Sequence, residues 1–118
     1  MDEKLIRLYE DINFIGYTYV CVGENNYVAK AKGLLPQIEE FVQWFLKGNQ
    51  FGIEPNLYQM LQKNLLTILE DIAEAFKEED TVLMMDALES GISEYLTIFM
   101  PKEYFEKERV RVYERHIG

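Results

Sequence analysis

The 118-residue chain has one cysteine, one histidine and few helix breakers, with three prolines and seven glycines. A single Cys21 leaves no internal disulfide and no cysteine cluster for zinc. Its expected place is the core, as a small buried hydrophobe. With His116 the only histidine, a di-iron bundle, which needs Glu-x-x-His on paired helices, has too few ligands. One Cys and one His in separate contexts also make no nucleophile–base motif. Gly-rich phosphate loops and the G-x-S-x-G elbow are missing as well. The longest apolar-rich stretch, residues 12–22, is too short and too polar to cross a bilayer. The start, MDEKLIRLYED, lacks the cationic-then-apolar order of a signal peptide, so a cytoplasmic protein is expected.

What is present is grease and negative charge. Apolar residues make up 48% and aromatics 14%, enough for one well-filled core in one domain over residues 1–118. The formal net charge is −9, and residues 1–101 carry 7 basic and 17 acidic side chains. Residues 102–118 carry 5 basic and 4 acidic ones. Such a body repels phosphate backbones and anionic lipid, so neither nucleic acid nor a membrane surface is an expected partner.

Apolar residues recur alternately three and four apart in four segments: Leu5 to Val22, Tyr27 to Phe45, Tyr58 to Ala75, and Thr81 to Phe99. That spacing places each set along one helical stripe. It predicts an all-α fold, an antiparallel up-down four-helix bundle with helices at about 3–23, 26–47, 56–78 and 81–100. The punctuation agrees. Gly23-Glu24-Asn25-Asn26 and Gly48-Asn49 separate stripes, Pro55 opens the third, Asp80 caps the fourth and Pro101 stops it. Residues 14–28 are β-branched and aromatic enough that a hairpin turning at GENN competes with helix. Pro36 either kinks one long second helix after Gly33 or opens a shorter one; the unbroken stripe favours the kink. The segment 101–118 has no clean stripe and is expected to form a short helix over 102–108 with a loose or docked end.

The acids Glu70, Asp71, Glu74 and Glu78 fall away from the Leu65–Ile72 seam and read as a solvated face, so no metal or cofactor is expected. On the fourth helix, projection at 100° per residue puts Asp86, Glu89, Ser90, Ser93 and Thr97 in one wet arc. Met84, Met85, Leu88, Ile92, Tyr95, Leu96 and Phe99 form the core arc. The remaining side carries Leu83, Ala87, Gly91 and Ile98, interrupted by Glu94. The apolar arc is therefore wider than a bundle corner requires, and Ala87 with Gly91 leaves a shallow groove. Either a neighbour in the same chain fills it or a protein partner or second copy does. Trp44, off the second stripe, is the expected exposed anchor. Met60, Met84, Met85 and Met100 suit either a core or an adaptable binding face.

Two resemblances bear on function. Residues 73–90, AEAFKEEDTVLMMDALES, resemble a pattern in small helical proteins of Firmicutes, in which an acidic turn precedes an aliphatic run and Asp-x-Leu-Glu. Some of these look motility-associated, and their size is similar to that of flagellin export chaperones. The resemblance implies a non-enzymatic, chaperone- or adaptor-like module that binds a protein client, and it carries no site residues. The chain departs from the pattern at Met85-Asp86-Ala87 and at Gly91. The alternative is enzymatic: Arg111 and His116 fit the Arg-x4-His arrangement of the HEPN ribonucleases, where the resemblance would make them the catalytic pair.

Overall fold

The computed structural model describes residues 1–107, and every regular element among them is a helix, with no strand. Helix α1 (Asp2–Tyr17) opens with Asp2 and Glu3, whose charge suits the positive end of the helix dipole. Its buried side carries Leu5, Leu8, Ile12 and Ile15. The chain continues without a break into a π-helical turn, Thr18–Val22. There the Thr18 hydroxyl donates to Ile15 O (3.0 Å), and Gly23 closes the turn at φ 82° in the left-handed region. The hairpin alternative for residues 14–28 therefore fails. Burial at Ile15 and Thr18 with exposure at Phe14 and Tyr17 follows a helical period, not a strand's alternation.

The second stripe is two helices, α2 (Tyr27–Lys32) and α3 (Leu35–Leu46). Between them the Gly33 and Leu34 amides donate three residues back, to Lys30 O and Ala31 O. Pro36 sits in the first turn of α3, where its missing N–H is harmless. This corrects the expected continuous kinked helix. A tightened turn keeps the stripe in phase, so the sequence shows no break. In the following loop, Asn49 brackets Ile53 through its side-chain amide, and this ties down the segment that carries Phe51.

Helix α4 (Pro55–Glu78) is capped by the Glu54 carboxylate, which accepts from Leu57 N at 3.0 Å. It ends at Glu79, held at φ 50° and ψ 40°, while Asp80 N reaches back to Ala75 O at 2.9 Å. Glu79 is the one described non-glycine residue with positive φ. Glu79→Gly should therefore stabilise the chain by about 0.5–1 kcal/mol, since glycine occupies this region without a Cβ clash but loses more backbone entropy. Urea denaturation measures it, and a loss of stability would contradict the left-handed end.

Asp80 then caps α5 (Thr81–Met85), accepting from Leu83 N at 3.0 Å. From Asp86 to Ile92 the helix widens to π geometry, and α6 (Ser93–Phe99) completes one unbroken helical path. That path packs on α4, on α1 and on α2, and it forms the centre of the molecule. Beyond Pro101, residues 102–107 are again helical.

Candidate functional site

The five residues expected to meet a partner separate into two groups. Ala87 and Gly91 are buried, and Leu83 is half-buried against the core. A Cβ at Gly91 would lie 3.1 Å from Ile68 Cγ2 of α4. The groove built on Ala87 and Gly91 is thus filled from within the chain. Trp44 is half-buried, its ring centroid 4.8 Å from Phe51 and 5.4 Å from Phe99, so it belongs to an aromatic cluster. Ile98 alone remains open, at 56% exposure.

A π segment, whose i→i+5 closure adds a residue to the turn, runs through this stretch from Asp86 to Ile92. The projected core residues Leu88, Ile92, Tyr95 and Leu96 stay buried, and the buried arc widens to take in Ala87 and Gly91. Ser93, expected among the wet residues, is also buried, with its hydroxyl unpartnered. Glu89 is half-buried between the end of α1 and the start of α2. Its carboxylate lies over Gly16, where a Cβ would approach Oε1 to 2.6 Å, and accepts from the Tyr27 hydroxyl at 3.2 Å. Burial first, then the Glu89 charge and hydrogen bond, pushes the Tyr27 hydroxyl far above the ordinary tyrosine range. Beside it, Lys30 donates to Thr18 Oγ1 at 3.1 Å and pairs with Glu24. Each of these groups has a structural partner, and the arrangement locks α1, α2 and the central path together.

A second polar contact fixes the register of α4 against α6. The Tyr95 hydroxyl donates to Leu61 O (2.8 Å) and accepts from Asn64 Nδ2 (2.9 Å). Burial raises its pKa, and the Asn64 hydrogen bond opposes that shift. Ile98 lies one turn past Tyr95 on α6, and Leu57 and Met60 lie in the first two turns of α4, ahead of Leu61. Met60 is 66% exposed and Leu57 nearly half. Leu57, one residue before the third stripe begins, was not singled out from the sequence; Met60 was read as suiting either a core or an adaptable binding face, and it is exposed.

Other features carry less. Cys21, expected in the core, is exposed on the first π turn. Glu70, Glu74 and Glu78 are exposed along α4, and Asp71 is half-buried. One cleft of about 340 Å³ lies between α1 and α3, lined by Lys4, Arg7, Gln37 and Phe41. Another, of about 580 Å³, separates α2 from the α4–α5 turn around Val28, Leu35 and Phe76. No described helix is long and apolar enough to cross a membrane. Arg111 and His116 lie outside the described residues. In sequence and structure comparisons the chain matches no family model, no curated protein and no solved structure.

Proposed function

We propose that the chain is a non-enzymatic protein-binding module, chaperone- or adaptor-like, acting in the cytoplasm on a motility or export client. One observation carries the reading: Leu57 and Met60 on α4 and Ile98 on α6 are exposed large apolar side chains on two helices that Tyr95 ties together. Apolar side chains grouped this way on a rigid helix pair suit a partner's apolar face. Met60 adds adaptability, being unbranched and polarizable. The acidic body favours a client with basic flanks and disfavours nucleic acid.

In the same reading the helical paths 2–22, 27–46, 55–78 and 81–99 form an up-down four-helix bundle. The second is broken at Gly33–Leu34. The antiparallel α4–α6 register supports this layout.

The test is a Met60→Glu/Ile98→Glu double variant. Both positions are exposed, so its stability should stay within about 0.5 kcal/mol of the parent's. Affinity capture from a lysate of the source cell, read by mass spectrometry, should recover a client with the parent and at least about tenfold less with the variant. Equal recovery, or no client with either chain, removes this reading. A parent dimer that the variant dissolves, seen by light scattering, would make a second copy the occupant.

A further inference from the structure

The larger of the two clefts, about 580 Å³, falls within the range of small-molecule sites, about 300–1,000 Å³. Its two walls present the same order of chemistry. On the α2 side, Val28 and Lys32 are one helical turn apart and share a face of that helix. On the other side, Phe76 belongs to the last turn of α4, and Glu79 follows three residues later where the helix ends. Val28, Leu35 and Phe76 are half-buried and packed against the core, which makes them an apolar floor. Lys32 and Glu79 are exposed and put one charge of each sign at the rim.

The charges beside these two are already engaged. Lys30 pairs with Glu24 and donates to Thr18, and Asp80 accepts from Leu83 N as the cap of α5. The side chains of Lys32 and Glu79 have neither an ion pair nor a hydrogen bond among the described residues. Asn26, at the start of α2, lines the same cleft, and its side chain makes no cap hydrogen bond.

The backbone at Glu79 supplies a second observation. It is held at φ 50° and ψ 40°, a helix end usually given to glycine because a Cβ is strained there. Residues kept in such conformations cluster where their side chains are used. The side chain held this way is the carboxylate of the cleft.

Charge balance selects the ligand. A simple anion would satisfy Lys32 and face the like charge of Glu79, and a simple cation would do the reverse. A zwitterion satisfies both, and an apolar group on it covers the floor. We infer that the cleft binds a free α-amino acid with a large apolar side chain, its carboxylate on Lys32 and its ammonium on Glu79. The Asn26 amide can donate to the carboxylate or accept from the ammonium. Phe76 lies about 24 Å along α4 from Met60, so the inference does not rest on the reading given for Leu57, Met60 and Ile98.

The experiment adds L-leucine or L-phenylalanine to the full chain and follows backbone amides in proton–nitrogen correlation spectra. The amides around Asn26, Lys32 and Glu79 should shift and saturate, with a dissociation constant below about 1 mM. Isocaproate lacks leucine's amine and isoamylamine lacks its carboxylate. Each should bind about tenfold more weakly or worse, because one charge of the site stays unpaired. Glu79→Gly is the deciding variant, since it should resist more urea than the parent and yet bind L-leucine at least about tenfold more weakly. Lys32→Gln, a change at an exposed position, should weaken binding to a similar degree with folding unaffected. The proposal is overturned if neither amino acid moves these amides, or if the shifts fall elsewhere. It is overturned too if either analogue matches leucine, or if both variants keep the parent's affinity.

Discussion

Phe45→Ala lowers stability by about 3–5 kcal/mol, the range for deleting a fully buried aromatic side chain. Phe45 has no exposed surface and stands at the centre of an aromatic cluster drawn from four parts of the chain. Its ring centroid lies 5.2 Å from Tyr58 of α4, 5.7 Å from Tyr95 and 5.8 Å from Phe99 of α6, and 5.9 Å from Phe51 of the preceding loop. Removing the ring leaves a hole bordered by stiff aromatic neighbours that cannot collapse into it. The aromatic pairs also contribute beyond area, about 0.5–1.5 kcal/mol each. Trp44, beside the cluster, gives the readout: its emission reports the urea transition of parent and variant. For a domain of this size the expected loss is a large share of the total stability, about 5–15 kcal/mol. A cost under about 1 kcal/mol would mean that the loop and the three helices do not meet at Phe45.

The second large effect is at Gly91. Gly91→Leu should cost about 3 kcal/mol, at the upper end for overpacking, because three Ile68 side-chain atoms already lie 3.1–3.3 Å from where a Cβ would be. Gly91→Ala should cost much less. Its helix-propensity gain of about 1 kcal/mol offsets a contact that Ile68 can relieve by a small shift. Adding Ile68→Ala to Gly91→Leu should recover part of the loss, and the double-mutant cycle should return a coupling of about 1 kcal/mol or more. If Gly91→Leu is neutral in urea denaturation, the groove is open and a partner face at Ala87 and Gly91 becomes tenable again.

That distinction marks where sequence reasoning stopped. The stripes were legible because burial imposes period 3.6 on any packed helix: Leu5, Leu8, Ile12 and Ile15 are buried as the spacing requires. Asp80 was legible because its chemistry is local, a carboxylate three residues before an amide it accepts from. The π segments were not legible. An extra residue in a turn leaves no compositional mark, yet through this stretch the buried arc is wide enough to take in Gly91 and Ser93. Cys21 was misplaced for another reason: cysteine's general preference for burial was set above its position, which at about 100° per residue falls opposite the stripe of Leu5, Leu8, Ile12 and Ile15. The Gly33–Leu34 interruption was hidden because a tightened turn conserves phase. Trp44 looked like an anchor because the Phe51 loop that covers it is held by Asn49, a contact across irregular chain that periodicity cannot express. Ile98 was named from the sequence, and Met60 as a residue for either a core or a binding face, but Leu57 was not, since it lies outside the stripe that periodicity picks out.

The helical path at the molecule's centre is made after the helices that pack on it. While residues 1–80 emerge from the ribosome, α1, α2 and α4 lack the surface against which most of their apolar side chains rest. At about 5–20 residues per second, translating residues 81–100 takes about 1–4 s, and the nascent chain stays unfinished throughout that interval. Stop codons, frameshifts or ribosome stalls anywhere before residue 100 would therefore release a sticky fragment rather than a smaller working protein.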